Sequence, residues 1–302
     1  MSDSLSYEVV PKVAVPQAAA DTPPYWQTVF RRLRNDWLTL AVGAILVGIV
    51  SAAIFAPVLA PYSPYSGSIL HRLAPIGTPG HWLGTDETGR DIWTRLLYGG
   101  RLSLLAGISP VIIALAIGGS LGVIAGYSGG LANSVIMRAT DTLYAFPSVL
   151  LAVAICGILG NGLLNSILAL AAIFVPPMVR ISESVTSQVR VLPFMEAAKA
   201  SGASDLQIIR HHVISNIVGT ILVYATSLFS LSIILASGLS FLGLGVNPPD
   251  AEWGLMLNSL RQAIYVQPLV AALPGLLIFI TSMCFNLMSD GLRSAMDTRL
   301  SE

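Results

Sequence analysis

Charged side chains are scarce in this sequence. Asp, Glu, Lys and Arg make up 11% of the 302 residues, whereas apolar side chains make up 54%. A soluble globular domain carries about 25% charged residues, so much of the folded surface must face something other than water. Lysine is the rarest charged residue, with only Lys12 and Lys199, and the net charge is zero. The composition predicts a protein in contact with membrane lipid and argues against a nucleic-acid partner.

Cysteine and lysine are also too few for two common kinds of site. Cys156 and Cys284 both lie within apolar runs, so we expect packing residues rather than a disulfide framework or a metal site. A P-loop requires lysine directly after glycine, and neither lysine of this chain follows a glycine. The chain is therefore not expected to hydrolyse ATP through a P-loop, and we predict no catalytic, cofactor-binding or metal-binding residues.

The first residues lack the basic start and short apolar core of a secretory signal peptide. The segment from Met1 to Pro24 is polar, contains Pro and Ala, and shows no periodicity. We expect a disordered tail there. The first apolar run begins at Leu38 and is expected to remain in the protein as a membrane span.

Charge-free intervals mark where the chain can cross a membrane, since a spanning helix needs about 20 mostly apolar residues. One such interval, 142–179, is long enough for two short spans around a Gly160-Asn161-Gly162 turn, because Gly and Asn tolerate positive φ. The sequence thus predicts six transmembrane helices and an all-α membrane fold. The expected spans are 38–59, 102–124, two within 142–179, 213–237 and 269–288.

These spans divide the chain into segments. Polar stretches are expected as an outer loop at 61–100, an inner turn at 127–141, an inner loop at 180–212 and an outer loop at 245–267. The predicted organisation is a cytoplasmic N-terminal tail (1–35), a first transmembrane helix (36–61), an extracytoplasmic loop with a short interfacial helix (62–100), a five-helix core that includes a cytoplasmic loop at 180–215 (101–290), and a cytoplasmic C-terminal tail (291–302).

The basic residues are unevenly divided between the two sides of the predicted spans. With the N-terminus inside, eleven Lys and Arg residues lie on the cytoplasmic side and five outside. The positive-inside rule then predicts a multi-pass plasma-membrane protein with both termini in the cytoplasm. The outer basic residues are Arg72, Arg90, Arg95, Arg101 and Arg261.

The long outer loop contains a helix signal. Thr88, followed three residues later by Asp91, resembles a capping box, which predicts a short interfacial helix before the second span. Trp82 and Trp93 suit the level of the lipid headgroups, either as simple anchors or as part of a docking surface.

The loop between the fourth and fifth spans has signals for two short helices. Pro193 suits the first turn of a helix, and Gly202 suits its C′ position, where positive φ is required. Ser204, with Gln207 three residues later, forms a capping box and predicts a second helix that continues toward the membrane. We call residues 193–210 the elbow.

The elbow has small side chains at its bend and one carboxylate, Glu196. The small side chains leave the backbone accessible, so another protein can bind closely at the bend. A connecting loop that packs on the membrane surface would show the same features.

The order of residues in the elbow resembles a known motif. Glu196-Ala197-Ala198, three residues, and then Gly202 are similar to the EAA motif of ABC-importer permeases. In that family, the loop forms a coupling helix seated in a groove of the ATPase subunit.

Further motifs across most of the chain narrow the resemblance to the second, C-type permease of the dipeptide/oligopeptide branch. They are Leu83-Gly84-Thr85-Asp86, Gly89-Arg90-Asp91, Gly99 to Leu104, Leu239 to Gly245, Pro248-Pro249, Trp253-Gly254, Asp290 to Arg293, and Asp297.

The resemblance implies a type I, MetI-like importer permease. It implies a heterodimer with a homologous permease, two cytoplasmic ABC ATPase subunits and an extracytoplasmic substrate-binding protein. Closure of the ATPases would move the elbow and rock the two permeases between inward-open and outward-open states. Dipeptides, longer peptides, glutathione and nickel chelates all remain open as solutes.

The resemblance also implies two groups of site residues. The ATPase-docking group is Glu196, Ala197, Ala198, Gly202, Ala203, Ser204 and Asp205. The outer-loop signature is Gly84, Thr85, Asp86, Gly89, Arg90 and Asp91.

The chain departs from the family pattern at two places. The family motif ends in a Leu-Pro pair where this chain has Ile214-Ser215, and an acidic residue common before the Ser-Phe-Leu-Gly run is Ala236 here. Without that proline, the second helix of the elbow is expected to continue unbroken into the fifth span.

Two other classes of membrane protein remain as alternatives. An intramembrane serine protease needs a histidine base within the bilayer, but the four histidines lie in the outer loop or at the cytoplasmic edge. Ser128 formally fits a G-x-S-x-G motif, yet it follows a membrane helix rather than a strand. A proton-coupled secondary transporter usually has a carboxylate or histidine in mid-membrane, and none of the predicted spans contains one.

Overall fold

A computed structural model describes residues 25–296 of the chain. Within that range the ordered elements are helices, with isolated β-bridges but no strand. The α-helices are α1 (Tyr25–Asn35), α2 (Trp37–Ile54), α3 (Ala56–Leu59), α4 (Ile92–Ser128), α5 (Gly130–Tyr144), α6 (Ser148–Leu159), α7 (Leu163–Arg190), α8 (Pro193–Ala200), α9 (Asp205–Ile208), α10 (Ile214–Phe241), α11 (Trp253–Ser259) and α12 (Pro268–Met296).

Five unbroken helices are long and apolar enough to cross a membrane: α2, α4, α7, the continuous Asp205–Phe241 helix, and α12. The pair α5 and α6 passes the same test together but is bent by 87°, and it makes a sixth span if it counts as one. The predicted all-α membrane fold is confirmed. The third predicted span is therefore not a straight helix.

The N-terminal segment differs from the predicted tail. Residues 25–35 form α1, whose Val29 is buried, and α1 packs against α2 and α12. Asp36 then caps α2, its carboxylate accepting from the Leu38 N–H at 3.1 Å. A helix forms because this segment is amphipathic and finds an apolar surface to cover. The remaining tail residues, 1–24 and 297–302, with Lys12, Asp297 and Arg299, lie outside the described residues.

The predicted short interfacial helix is not a separate element. The helix begins at Ile92 with Asp91 as its N-cap, and it continues without a break for 37 residues to Ser128. Asp91 rather than Thr88 caps it, because the Asp91 carboxylate accepts from the Thr94 N–H at 2.8 Å while Thr88 bonds to Asp86. The capping-box prediction at Thr88 was wrong.

Two predicted inner loops are largely helical. The expected turn at 127–141 is mostly α5, and the expected loop at 180–212 begins as the last turns of α7, which ends only at Arg190. Charged residues do not interrupt these helices, because beyond the hydrocarbon core they can face water or one another. Gly129, with φ of +65°, separates α4 from α5.

Other local predictions hold. The Gly160-Asn161-Gly162 turn joins α6 to α7, and both glycines have positive φ. Cys156 and Cys284 are buried free thiols, consistent with packing roles.

Three glycines at four-residue spacing allow α4 and α7 to pack closely. A Cβ atom at Gly118, Gly122 or Gly126 would lie within 3.0 Å of α7 atoms; at Gly122 it would lie 2.5 Å from both the Ser182 Cβ and the Val179 carbonyl oxygen. Small residues at this spacing are a common basis of close helix contact in membranes. The backbones of α4 and α7 therefore lie close together, and this close packing holds the two helices in place.

This contact makes the first testable prediction. Gly122→Ala should destabilise the folded protein by about 1–3 kcal/mol, because the added methyl group overpacks the contact. Gly48→Ala on α2 is the matched control, since a Cβ there meets no atom within 4 Å. Thermal unfolding of both variants in detergent checks this. Equal melting temperatures for the two variants would contradict the assigned contact.

Candidate functional site

The bend of the elbow is built by its own backbone. Gly202 has φ of +81°, the Gly202 N–H donates to the Lys199 carbonyl at 3.0 Å, and the Ala203 N–H donates to the Ala198 carbonyl at 3.3 Å. These two bonds form a Schellman motif, which ends α8. Gly202 occupies the predicted C′ position.

The second half of the elbow starts as predicted. The Ser204 hydroxyl accepts from the Gln207 N–H at 3.4 Å, and the Gln207 side chain accepts from the Ser204 N–H at 2.9 Å, completing the capping box. The short helix α9 then passes through a π-helical turn at Ile209–Val213 into α10. Since no proline intervenes, Asp205–Phe241 is one helix of 37 residues.

The elbow has one buried face and one exposed face. Met195, Ile208 and Val213 are completely buried and anchor the elbow in the main apolar core. Of the predicted docking residues, Glu196, Ala197, Gly202, Ser204 and Asp205 are exposed, while Ala198 and Ala203 are partly buried. The exposed face also carries the large apolar side chains of Phe194 and Leu206, and the exposed Val191 lies just before the elbow.

Tyr127, near the end of α4, ties the elbow to that helix. Its hydroxyl donates to the Asp205 carboxylate at 2.5 Å, and the Lys199 ammonium lies 5.6 Å from the centre of its ring. Sequence reasoning placed Tyr127 only at a turn, because a contact across 78 residues leaves no local signal. Two helices, α4 and α10, thus meet at the elbow.

The outer-loop signature surrounds the buried carboxylate of Asp86. Its Oδ1 accepts from the N–H groups of Thr88 and Arg90 at 2.8 and 2.9 Å, and its Oδ2 accepts from the Arg90 Nε at 2.7 Å. Burial by itself raises the pKa of this carboxyl, but the Arg90 N–H, the Arg90 guanidinium and Thr88 outweigh burial, so the pKa of Asp86 lies below its ordinary value.

Arg95 joins this loop to a second outer segment. Its Nε lies 3.5 Å from Asp86 Oδ2, and its guanidinium donates to the carbonyls of Pro64 at 2.9 Å and Asp250 at 3.2 Å. Arg95 is itself buried. We call the assembly of residues 61–91 and 245–260 the cap.

At two positions of the signature, the backbone conformation and the close neighbouring atoms require glycine. Gly84 and Gly89 have φ of +78° and +73°, and a Cβ atom would lie 2.3 Å from the Ala74 carbonyl oxygen or 1.9 Å from that of Ser68. The third element of the signature, Asp91, caps α4 and also pairs with His81 at 3.0 Å. The hydroxyl of the sixth residue, Thr85, accepts from the Ala74 N–H at 2.9 Å, so all six signature residues serve the local architecture of the cap.

A second buried carboxylate, Glu252, holds the other half of the cap. It accepts from the Ser103 hydroxyl and from the N–H groups of Gly254 and Leu255 at 2.8–2.9 Å, and so caps α11. The neighbouring Trp253 is also buried, and its indole N–H donates to the Leu96 carbonyl at 3.0 Å. Sequence reasoning did not single out Glu252, whose side-chain partner Ser103 is 149 residues distant along the chain.

The elbow and the cap lie at opposite ends of α4. Asp91, at the start of α4, belongs to the cap, and Tyr127, next to its last residue, contacts the elbow. At about 1.5 Å per residue, the 37-residue helix is about 55 Å long, more than the thickness of a bilayer hydrocarbon core. The two predicted groups of site residues are not brought together and form two separate sites.

Two family models match this chain. Residues 118–302, more than half of the chain, match the family described as binding-protein-dependent transport system inner membrane component. Residues 24–75 match the N-terminal TM domain of oligopeptide transport permease C.

Curated relatives cover nearly the whole chain. The glutathione transport system permease protein GsiD of Pectobacterium atrosepticum is 40% identical over 275 residues, 91% of each chain, and so is the protein of the same name from Escherichia coli O6:K15:H31. Among solved structures, an inward-facing conformation of the MetNI methionine ABC transporter matches 65% of this chain and 94% of the other, with a TM-score of 0.53 and 19% identity. That structural likeness concerns the fold.

The cap gives a prediction with a defined pH dependence. Because the pKa of Asp86 is lowered by folding, its contribution is present above the unfolded pKa of about 3.9 and is lost as pH falls through the folded pKa. Asp86→Asn should weaken the cap by about 1.5–3 kcal/mol at neutral pH, and should remove this acid dependence.

Amide hydrogen exchange of residues 61–91, corrected for intrinsic rates, measures the effect. Glu87→Gln is the control, since Glu87 makes no ion pair among residues 25–296. Equal protection in Asp86→Asn and wild type at pH 7 would contradict the role assigned to Asp86.

Proposed function

This chain belongs to the family of binding-protein-dependent transport system inner membrane components, and from that membership we propose how its two sites work in an importer. It is a membrane permease subunit of an ABC importer for peptide-like solutes. ATP is hydrolysed by separate ATPase subunits, and a substrate-binding protein is a further partner. We propose that a homologous permease completes the pair that encloses the translocation path.

The elbow is the proposed docking site for an ATPase subunit. The observation that carries this proposal is the division of the elbow into a buried anchor, Met195 and Ile208, and an exposed face with Glu196, Gly202 and apolar side chains. Exposed apolar groups beside a well-ordered bend are what a protein groove can bind. A loop that only connected two spans would not need such a face.

The elbow is also placed to transmit motion. A displacement of α8 reaches α10 through the continuous Asp205–Phe241 helix, and it reaches α4 through Tyr127. Rigid helices of this length can carry a rocking movement from one side of the membrane to the other. The cap, whose buried carboxylates Asp86 and Glu252 are engaged in hydrogen bonds, is the proposed rigid surface toward the substrate-binding protein.

The solute is proposed to be a peptide or a peptide-like molecule. Relatives at 40% identity are glutathione transport permeases, so glutathione is the first solute to test. An intramembrane protease has less support, because Ser128 is the last residue of α4 and is followed by a positive-φ glycine rather than preceded by a strand.

We propose that both termini and the elbow face the cytoplasm, on the basis of the distribution of Lys and Arg. Impermeant thiol reagents added from outside should label Ser66→Cys, in the exposed outer loop, and spare Ser204→Cys. Disruption of the membrane should then expose Ser204→Cys as a control. Labelling of Ser204→Cys alone in intact cells would reverse the orientation and remove the elbow from the ATPases.

The docking proposal is tested at the bend. Gly202→Val places a β-branched side chain at φ of +81°, a strain of about 1–2 kcal/mol, and should misplace the bend although no atom lies within 4 Å of the added Cβ. Glu196→Lys reverses the exposed charge of α8. Both variants should insert normally and lose most ATPase co-purification and substrate-stimulated hydrolysis.

Ser201→Val is the matched control for Gly202→Val. Ser201 is the adjacent exposed residue, and its φ of −76° accepts a side chain without strain. The comparison is made at equal membrane abundance. If Gly202→Val and Glu196→Lys bind and stimulate the ATPases as Ser201→Val does, the elbow is only a connector.

A further inference from the structure

An ion pair near the elbow end of the helices has no part in the function described so far. Asp141 of α5 and Arg180 of α7 form it, and their side chains are 54% and 49% exposed. The Arg180 guanidinium also lies 4.8 Å from the centre of the Tyr144 ring. A pair this exposed stabilises a fold only weakly. Arg180 lies inside the candidate span Leu163–Arg190, and ionisable side chains within membrane-spanning helices often mark a solute pathway.

The pair lies at the edge of the hydrocarbon region. From Leu163 to Arg180, α7 rises about 26 Å at about 1.5 Å per residue, against a hydrocarbon thickness of about 30 Å. The 12-residue helix α6 rises about 18 Å between Ser148 and the Gly160 turn. The break between α5 and α6 is therefore inside the bilayer, and Arg180 is at its boundary.

The chain at that break is irregular and lies at the surface of this subunit. Residues 145–147 are not α-helical, and Phe146 between the two helices is 55% exposed. Irregular backbone at membrane depth is tolerated only where it is buried in protein or lines a water-filled cavity. Since the break is exposed on this subunit, it faces either a path or the partner permease.

A cleft connects the break to the ion pair. Two cavities of about 240 Å³ each adjoin one another and share Tyr144, Pro177 and Tyr224. One of them reaches Ser148 at the break, and the other reaches Arg180. The cleft thus extends from the middle of the bilayer to its boundary, with aromatic rings along it.

The wall formed by α7 supplies hydrogen-bond acceptors. Pro176 and Pro177 lie inside this helix and have no N–H to donate to the carbonyls of Ala172 and Ile173. Ile173 and both prolines line the cleft. Carbonyl oxygens that lack these proline donors and the rings of Tyr144 and Tyr224 suit an ammonium group, and Asp141 lies at the edge of the cleft as the ion-pair partner of Arg180.

We propose that this cleft binds a zwitterionic, peptide-like solute during its passage, with Arg180 binding a carboxylate and Asp141 an ammonium group. The inference rests on the proposed function and names residues of this subunit that select the solute. In the resting state the two side chains neutralise each other. A solute with both charges replaces that pair by two charge-assisted contacts, which a purely anionic or apolar molecule cannot do.

The test uses the complete transporter in proteoliposomes, with its ATPases, partner permease and binding protein, and labelled glutathione as the probe. Arg180→Gln and Asp141→Asn should each lower uptake at subsaturating glutathione by about tenfold or more, while ATP hydrolysis stimulated by the binding protein stays within about twofold of wild type. Arg138→Gln is the matched control, because Arg138 is exposed on the same helix and makes no ion pair among residues 25–296. It should transport normally.

The exchanged variant D141R/R180D distinguishes two roles of the ion pair: binding of the solute, and stabilisation of the contact between α5 and α7. It restores an ion pair between α5 and α7 but places a carboxylate at position 180, which lines the cleft, so the carboxylate of a solute held in the same orientation meets a like charge. Uptake should therefore stay low while abundance and stimulated hydrolysis are normal. Recovery of wild-type uptake would show that the pair only braces the two helices and would overturn the inference.

Two further outcomes would also overturn it: normal uptake by both single variants, or loss of the partner permease on purification of either one. Absence of stimulated hydrolysis in the wild type would instead count against the proposed function.

Discussion

The close packing of α4 on α7 is the contact on which the rest of the structure depends. Inside lipid, the hydrophobic effect does not drive two helices together, so their association depends on close packing of one helix on the other. The glycines at 118, 122 and 126 allow α4 to pack closely on α7. Because α4 is held along its length, its two ends are fixed relative to each other. The cap forms around its first residues, and the elbow is tied to Tyr127 near its last.

The two sites use buried and exposed polar groups in opposite ways. In the cap, Asp86 and Glu252 are buried and their carboxylate oxygens are occupied by hydrogen bonds, which makes a rigid surface. In the elbow, the polar groups face outward and only apolar side chains are buried, so the exposed face is free to meet another protein. In the proposed function, the cap is a rigid end and the elbow a binding end, and the long helices that join them would transmit the motion of alternating access.

Local sequence signals predicted local structure well. The Gly202 bend and the Ser204 capping box depend on neighbouring residues only, and both were readable. The charge-free intervals located the spans but missed α5 and the last turns of α7, because charged residues are compatible with helix beyond the hydrocarbon core. Thr88 was misread since Asp91 competes for the same helix start. The contacts of Arg95 with Asp250, of Tyr127 with Asp205 and of Glu252 with Ser103 join distant segments and leave no pattern in a single sequence.

The central claim is that the exposed face of the elbow contacts an ATPase subunit. Site-directed cross-linking in the assembled transporter tests it directly, with Ala197→Cys on the elbow and Leu131→Cys, on the first turn of α5 and 85% exposed, as the reference position. The account predicts a short-range cross-link from position 197 to the ATPase and none from position 131. A cross-link from position 131 alone, or none from position 197 in a transporter that retains its ATPases, would contradict the account.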